Sequence, residues 1–224
     1  MPNYSLTSPT MIQALSSQRR IAGSTSLVEI KADNQHLATM KDALRLQPGV
    51  IIQDMFGGND QPRLNIRGSG IQSNPQRRGV YLLQDGIPVN FSDGSYVVGI
   101  MDAMTAQYIE VFKGANALRF GAGTLGGALN FVSRTALSDT TTSIKLEGGS
   151  YGSFGLTFTT GRRMGAWDVF AASTYNRQDG YRIYNQNRRL TASLNIGWRN
   201  KNKTLENGTF MHFTHLFFEM PGPL

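Results

Sequence analysis

Hydrophobic and polar residues follow two different patterns along this 224-residue chain, and the pattern changes near residue 137. Before that point, short apolar segments are separated by Gly, Pro, Asn and Asp, which favour turns. Thr39 and Asp42 are spaced as a capping box, so a helix is predicted at 39–46. The apolar segments predict short strands at 50–52, 64–67, 80–84, 108–112 and 128–133. This half is therefore predicted to form a small α+β domain.

From residue 138 onward, apolar and polar residues alternate with a period of two. In 154–162, for example, Phe154, Leu156 and Phe158 fall on one face of an extended chain. The segments 143–147 and 189–199 alternate in the same way, and 166–178 does so less regularly. Turn-forming residues separate these segments, so we predict about five antiparallel strands.

Two architectures explain this alternation. A soluble sandwich turns its apolar face inward, whereas an outer-membrane barrel turns it toward lipid. Long segments, small uncharged polar faces and aromatic residues at the segment ends favour the barrel. The pattern alone leaves both open. The aromatic residues at segment ends are Tyr151, Trp167, Tyr175, Tyr181, Tyr184 and Trp198.

Composition narrows the possible functions. The net charge is +7, but no run of five basic residues occurs, which does not favour a nucleic-acid-binding tail. Cysteine is absent, so disulfides and thiolate metal sites are excluded. His212 and His215 would lie on opposite faces of a strand, and no carboxylate cluster accompanies them. We assign no metal site, no cofactor and no catalytic residue.

Residues 121–126 read Gly-Ala-Gly-Thr-Leu-Gly, the G-x-G-x-x-G spacing of a dinucleotide-binding loop. Such a loop must open a helix, whose N-terminus binds the pyrophosphate. The residues that follow Gly127 read instead as a strand. We therefore predict a tight turn in which glycine allows positive φ or a close backbone approach.

Four motifs occur in the chain, and their order and spacing identify a family far more specifically than any one motif would. They are DALRLQPGV, RLNIRGSG, VYLLQDGIPV and YIEVFKGANALRFGAGTLGGALNFVSR. From about Arg19 to Arg134 the chain resembles the plug domain of TonB-dependent outer-membrane receptors of Gram-negative bacteria. The later strands are similar to the first strands of the same family's barrel. The stretch RGSGIQSNPQRRGVYLLQDGIP is closest to ferric-siderophore and ferric-citrate-type receptors.

The resemblance implies an α+β plug domain followed by strands of a 22-stranded transmembrane β-barrel. We expect an N-terminal segment at 1–18, the plug at 19–137 and about five barrel strands at 138–224, as in a fragment or truncated product of a longer receptor. Leu6–Thr10 is a poor version of the family's TonB box. The N-terminus also lacks a signal-peptide pattern, so the chain is either not secreted or a mature or truncated piece.

The same resemblance implies partners and a location. The ligand would be a ferric siderophore or other metal chelate, and TonB with ExbB and ExbD would drive its uptake. The barrel would lie in lipid of the cell outer membrane as a monomer when full length, with the plug accessible from the periplasm. Nucleic acid would not be a partner. The rival interpretation is a soluble, basic, β-rich domain that binds nucleic acid or polysaccharide.

Two sets of site residues follow from the resemblance. Arg67 and Arg119 match plug arginines that pair with barrel glutamates, although each could instead cap a local turn. Both lie beside glycines in segments that read as apolar strands, where an unpaired charge is disfavoured. The loops 70–79 and 90–97 match the plug apices, with polar donors and aromatic faces suited to an anionic chelate, although ordinary solvated loops would look alike. The predicted ligand-binding residues are Gln72, Asn74, Gln76, Arg77, Arg78, Phe91, Ser92, Asp93 and Tyr96.

Overall fold

The computed structural model describes residues 9–21, 23–30, 39–53, 62–69, 78–121, 124, 126–180, 186–200 and 206–218. The described residues fall into two compact units, one from Thr10 to Ser133 and the other from Arg134 onward together with Pro9. The boundary predicted at residue 137 remains a prediction, although the contacts divide the chain close to it.

The first unit is an α+β domain, as predicted. The elements are α1 (Met11–Gln18), β1 (Thr25–Glu29), α2 (Met40–Leu44), β2 (Val50–Gln53), β3 (Arg63–Ile66), β4 (Val80–Gln84), β5 (Ile87–Pro88), β6 (Ala106–Lys113), β7 (Gly127–Ser133) and three short 3₁₀ helices (Val98–Ile100, Ala103–Thr105 and Gly114–Phe120). A five-stranded mixed sheet has the order β1-β6-β7-β4-β5, and β2 and β3 form a separate antiparallel pair. Strands β4 and β7 run parallel, and the other neighbours in the larger sheet are antiparallel.

Local sequence signals explain both helices. At α2, the Thr39 hydroxyl accepts from the Asp42 N–H, and Asp42 Oδ2 accepts from the Thr39 N–H at 3.0 Å, which confirms the predicted capping box. Thr10 and Gln13 form the same arrangement at α1, which sequence reasoning missed. The Thr-x-x-Gln spacing was the available signal.

The core of the first unit lies between the larger sheet and the α2 and β2–β3 segments. Ile66, Val80, Leu82, Ile109 and Leu129 are all at most 1% exposed. On the other face of the sheet, α1 covers Tyr108 and Val132 with Met11 and Ala14. The sheet is thus buried on both faces, as expected for strands that read as continuous apolar segments.

The second unit is one antiparallel sheet of five strands in sequential order. Its strands are β8 (Ser143–Gly149), β9 (Ser153–Met164), β10 (Trp167–Gln178), β11 (Asn187–Arg199) and β12 (Glu206–Phe218). Among the described residues, β8 and β12 each pair with one neighbour only. The count and the antiparallel order agree with the sequence prediction.

Alternation places apolar residues on the exposed face of this sheet. Phe154, Leu156 and Phe158 of β9 are 44%, 37% and 39% exposed, whereas the alternate residues Thr157 and Thr159 are 6% and 2% exposed. We call the face that carries Phe154, Leu156 and Phe158 the outward face, and the opposite face the inner face.

The inner face carries hydroxyl side chains that pair with one another, and it also buries Asp168, Phe170 and Arg189. Ser143 Oγ lies 2.7 Å from Thr159 Oγ1, and the hydroxyls of Thr174 and Thr191 also share a hydrogen bond. The register confirms that His212 and His215 lie on opposite faces, because they face Ser193 and Leu190 respectively.

Neither α1, α2 nor any other helix in the described ranges has the length and apolar character needed to cross a membrane.

Candidate functional site

An exposed loop after β5 brings together four of the predicted ligand-binding residues. Arg78, Phe91, Ser92 and Asp93 are all exposed, and Phe91 is 59% exposed. Arg78 Nη2 lies 3.4 Å from Asp93 Oδ2, so the start of β4 and this loop are joined by an ion pair. An exposed pair of this kind adds little to stability. It does hold a cation and an anion side by side on the surface, and Phe91 lies two residues before Asp93 in the same loop.

The loop has a defined shape because of two polar side chains. Asp93 Oδ1 accepts from the Ser95 N–H at 2.9 Å and from its hydroxyl at 2.6 Å. These hydrogen bonds, followed by the charge and hydrogen bond of Arg78, lower the pKa of Asp93. The carboxylate is therefore fixed in its charged form by the loop itself.

Asn90 ties this loop to the sheet, and sequence reasoning did not select it as a site residue. Its Oδ1 accepts from the Leu82 N–H at 2.8 Å, and its Nδ2 donates to the carbonyl oxygens of Val80 and Gly94 at 3.0 and 3.2 Å. Both polar atoms of the Asn90 side chain are thus hydrogen-bonded, and together they join β4 to the loop. Asn is common in turns, but nothing in the sequence indicated a partner eight residues upstream.

Tyr96 does not belong to the exposed surface, so its prediction as a ligand-binding residue is wrong. The side chain is 3% exposed, and its hydroxyl donates to the carbonyl oxygen of Leu64 at 2.9 Å. Tyr96 anchors the end of the loop in the core because a buried phenol needs a hydrogen-bond partner.

The remaining predicted ligand-binding residues lie outside the described residues. They are Gln72, Asn74, Gln76 and Arg77.

Arg67 lies in the turn that follows β3, one residue beyond the end of the strand in which it was predicted. Its φ of 52° is left-handed, and its N–H donates to the carbonyl oxygen of Gly49 at 2.9 Å. Gly68 continues the turn with φ 86°, and its N–H donates to Asn65 Oδ1 at 2.8 Å. The turn leaves the Arg67 side chain exposed, and no described residue forms an ion pair with it.

A second cation lies close to Arg67. A Cβ added to Gly114 would lie 3.2 Å from Arg67 Nη1, so the guanidinium lies over Gly114. The preceding residue, Lys113, is only 6% exposed. Burial and then the nearby charge of Arg67 lower the pKa of Lys113. The end of β6 therefore carries concentrated positive charge.

Arg119 lies on the 3₁₀ helix Gly114–Phe120 rather than in a strand. Its side chain is exposed, and its guanidinium carbon lies 5.6 Å from the Phe112 ring centre and 5.1 Å from that of Phe120. The two rings pack edge to face at 5.0 Å. This cation–π contact holds the guanidinium at the surface.

A polar network crosses the face of the larger sheet under α1. Asp85 Oδ1 accepts from the Ser133 N–H at 2.8 Å, and Oδ2 accepts from the Ser133 hydroxyl at 2.5 Å. Gln84 Nε2 donates to Ser133 Oγ at 2.6 Å. Burial raises the pKa of Asp85, although the hydrogen bonds from Ser133 oppose this shift.

The same network continues to α1. Asn130 Oδ1 accepts from the Gly86 N–H at 2.8 Å, and its Nδ2 donates to Glu110 Oε2 at 2.8 Å. Gln18, at the end of α1, lies 3.5 Å from Glu110 Oε1. Sequence reasoning identified the Asp85-Gly86 turn but not its partners, since these are 44 and 48 residues away in the chain.

The glycine-rich segment is a site of close packing. Gly121 has φ 131°, and β7 begins at Gly127, where a dinucleotide-binding loop would open a helix. A Cβ on Gly126 would lie 1.5 Å from Ser69 Oγ, and a Cβ on Gly127 would lie 2.5 Å from the Phe112 carbonyl oxygen. The predicted close approach is therefore observed at both residues.

Within the described ranges, His, Asp and Glu side chains nowhere form a group of three that could hold a metal ion. His212 instead lies 2.7 Å from Thr214 Oγ1 and stacks on Phe210.

Comparison with known proteins agrees with this fold. The vitamin B12 transporter BtuB of Vibrio vulnificus (strain CMCP6) is 22% identical over 183 residues, which cover 81% of this chain and 28% of BtuB. The chain thus spans about a quarter of the length of this relative.

Solved structures show the same fold. P. aeruginosa FpvA bound to heterologous pyoverdines matches with a TM-score of 0.67 at 19% identity, over 88% of this chain and 25% of FpvA. The copper transporter OprC matches with a TM-score of 0.66 at 15% identity, over 89% of this chain and 32% of OprC. These three proteins are named as transporters or, for FpvA, as a pyoverdine outer membrane receptor, and none is named as an enzyme.

Residues 17–128, half of the 224-residue chain, match the TonB-dependent Receptor Plug Domain family. This match confirms the resemblance inferred from the four motifs, and the plug followed by antiparallel strands is the predicted fold. The chain belongs to the TonB-dependent receptor family, and its first unit is the plug domain.

Proposed function

We propose that this chain works in a TonB-dependent outer-membrane receptor that takes up a ferric siderophore or a related metal chelate. Among the proteins it resembles, BtuB is named as a vitamin B12 transporter, FpvA is bound to pyoverdines and OprC is named as a copper transporter. The plug would gate the barrel and contribute to ligand binding. No covalent chemistry is required for this function.

The observation that carries the proposal is the ordered, exposed loop beside β4. Asn90 and Asp93 fix its backbone, and Arg78 and Phe91 project from its surface. An oxygen-rich anionic chelate is recognised by guanidinium donors and by flat apolar surfaces. A preorganised loop binds more tightly because less conformational entropy is lost on binding.

Arg67 and Arg119 are proposed to hold the plug in place by pairing with carboxylates of the barrel wall. Two features support this role. Both arginine side chains are exposed. The Arg67 guanidinium lies over Gly114, and the Arg119 guanidinium packs on two aromatic rings. Both groups would then be available to a partner carboxylate, and an arginine at such an interface pairs bidentately.

The N-terminal side of the plug is proposed to receive the pull of TonB, driven by ExbB and ExbD. Helix α1 is the first described element, and only Ala14 and Gln18 of its eight residues are buried. Met11 and Ala14 pack with Leu27, Tyr108 and Val132 of the sheet, and Gln18 contacts Glu110. A short helix held by so few contacts can be detached at low energetic cost, and its exposure on the periplasmic side would let force reach the sheet.

The second unit is proposed to contribute strands to the barrel wall in the outer membrane. Its outward face presents apolar side chains and its inner face presents hydroxyl groups, as in a barrel whose lumen is polar. The same arrangement would be unstable in water, because a large apolar face would remain solvated.

Uptake by the receptor that contains this chain tests the proposal. Cells that depend on it for iron should accumulate a labelled ferric siderophore, and R78A/F91A should raise the concentration needed for half-maximal uptake by about tenfold or more. L46A, which alters a plug side chain that is 80% exposed, serves as the matched control. If no ferric siderophore or other metal chelate supports uptake, the transport function is refuted. Unchanged uptake by R78A/F91A would refute only the binding loop.

Charge reversal tests the two proposed latches. R67E and R119E should loosen the plug and increase leakage of small solutes through the receptor, whereas R67K should largely retain closure because it keeps the charge. Normal uptake and normal plug retention in both reversed variants would refute this role.

A further inference from the structure

The register of the second sheet aligns its outward side chains in rows across β9, β10, β11 and β12. One row lies at the end of the sheet where β10 stops and β11 starts. Arg177 faces Arg188 directly, Phe154 faces Arg177 from β9, and Phe217 faces Arg188 from β12. Two adjacent arginines are thus flanked on each side by an aromatic ring that is 44% or 45% exposed.

Two like charges directly opposite each other on a sheet repel and destabilise the pairing of the strands. One carboxylate offsets part of this charge. Asp179 Oδ1 accepts from Arg177 Nε at 3.1 Å and Nη2 at 3.0 Å, and also from Gln186 Nε2 at 2.9 Å. Arg188 forms no ion pair with a residue in the described part of the chain. The row therefore keeps a net positive charge after its own carboxylate has been counted.

The next rows toward the middle of the sheet are free of Asp, Glu, Lys and Arg. The adjacent row places Leu156 and Leu190, 37% and 41% exposed, on either side of Tyr175, and His215 of β12 follows Leu190. The row after that contains Phe158, Ser173, Ala192 and Phe213. The arginine row is consequently the edge of a mainly apolar surface that is interrupted by His215 and Ser173.

A charged row at the edge of an apolar face fits a ligand with a charged head and an apolar tail. Guanidinium groups bind phosphate through paired, charge-assisted hydrogen bonds. A free phosphate ion would use only the arginines and would leave the neighbouring leucines and phenylalanines in water. A phosphorylated lipid would cover both parts at once.

We propose that Arg177 and Arg188 bind the phosphate of an anionic lipid headgroup, with the lipid's acyl chains lying on Leu156 and Leu190. This inference rests on the proposed function in one respect, namely that the outward face contacts lipid. The binding site makes no use of the plug loop or of the transported ligand. It would fix the height of the sheet in the bilayer at this end.

Arg188→Gln is the variant of choice, because the hydrogen bonds between Arg177, Gln186 and Asp179 remain intact. Arg162→Gln is the matched control. Arg162 is also an exposed outward arginine, but it lies toward the other end of β9 and faces Val169.

The experiment uses the full chain in neutral-detergent micelles doped with phosphatidic acid. Affinity is measured by titrating this lipid, and lipid contact of the outward face is monitored by quenching of Trp167 and Trp198 fluorescence with bromine-labelled acyl chains. We expect R188Q to weaken phosphatidic acid binding by about fivefold to tenfold while quenching is unchanged. R162Q should bind as the unaltered chain does.

Three outcomes would overturn the proposal. If R188Q and the unaltered chain bind phosphatidic acid with equal affinity while quenching is intact, the arginine site is refuted but the lipid-facing sheet is not. Displacement of the lipid by a molar excess of inorganic phosphate would mean that a free anion, not a lipid, is bound. Absence of quenching in the unaltered chain would refute the lipid-facing sheet, and this result would separate failure of the proposed function from failure of the site.

Discussion

In the plug sheet, β4 and β7 bury Leu82 and Leu129 to 1% and 0% exposure, whereas β9 of the second sheet leaves Leu156 37% exposed. The buried positions of β9 are instead occupied by polar residues, since Thr157 and Thr159 are 6% and 2% exposed. The two sheets therefore distribute apolar and polar side chains for different surroundings.

Each unit also satisfies its buried polar groups differently. The plug uses longer side chains. Asp85 accepts a hydrogen bond from Ser133, and Asn130 accepts one from the next residue, Gly86, and donates one to Glu110. The inner face of the second sheet uses short hydroxyl pairs such as Ser143 and Thr159. Longer side chains can connect distant segments of an α+β core, whereas hydroxyl pairs join only adjacent strands. Side-chain hydrogen bonds in the plug thus connect segments that are distant in the chain, whereas the hydroxyl pairs of the second sheet reinforce the backbone pairing of adjacent strands.

The largest effect is expected when the same substitution is made in both sheets. L129A removes a fully buried side chain from the plug core and should lower the free energy of unfolding of the plug by about 2–5 kcal/mol. L156A removes an exposed side chain and should lower it by less than about 1 kcal/mol in the same measurement. Because the chain has no cysteine, alkylation of an A106C reporter in urea follows plug opening alone.

A106C without a second substitution is the reference for both variants, since Ala106 is fully buried in β6. Equal shifts of the urea midpoint for L129A and L156A would contradict the assignment of two different environments.

A charge on the outward face should produce the next largest effect. L156K places an ammonium group in the middle of the apolar rows and should weaken insertion into lipid by about 2–4 kcal/mol if the site lies near the bilayer midplane. L46K, at a plug side chain that is 80% exposed, should have little effect on insertion. The fraction of chain that floats with vesicles measures this difference. Equal flotation of L156K and L46K would show that the outward face does not enter lipid.

Local patterns in the sequence are sufficient to predict most of the strands and one helix. The period-two alternation of 154–162 and 189–199 and the Thr39–Asp42 capping box depend on neighbours within a few residues, and the structure confirms them. Arg67 and Arg119 show the limit of this approach. Their apolar neighbours predicted strands, but a left-handed turn and a 3₁₀ helix form instead.

Side-chain roles were harder to predict because they depend on distant partners. Tyr96 looks like an exposed aromatic in a polar loop, yet a carbonyl 32 residues earlier holds it in the core. Asn90 has no distinguishing neighbour in the sequence, and its function as a bridge is visible only when the loop lies beside β4. Composition and spacing contain no information on such contacts.

An intermediate effect is expected where backbone segments approach most closely. G127A introduces a Cβ that would lie 2.5 Å from the Phe112 carbonyl oxygen, so β6 and β7 must separate, at a cost of about 1–3 kcal/mol. G148A is the matched control on the second sheet, because a Cβ at Gly148 meets nothing within 4 Å. Urea titration with the A106C reporter should show a lower midpoint for G127A only. An unchanged midpoint for G127A would mean that β7 tolerates the displacement.

The smallest effect is expected at Asp85 and concerns pH. Burial raises the pKa of this carboxyl above its ordinary value of 3.8, so the folded chain binds the proton more tightly than the unfolded chain does. The contribution of Asp85 to stability is therefore greatest below pH 3.8 and is lost as the pH rises through the raised pKa. The Tm of the unaltered chain relative to D85N, followed by circular dichroism, should fall as the pH rises from 3.8 through the raised pKa.

Asp93 gives the opposite trend and makes the measurement internally controlled. Its pKa is lowered, mainly by the hydrogen bonds from Ser95, so its contribution is present above pH 3.8 and is lost as the pH falls. The Tm of the unaltered chain relative to D93N should accordingly rise with pH. If D85N and D93N gave the same trend, the buried carboxylate of the polar network and the exposed carboxylate of the loop would not differ in protonation. The proposed difference in environment between the buried Asp85 and the exposed Asp93 would then be refuted.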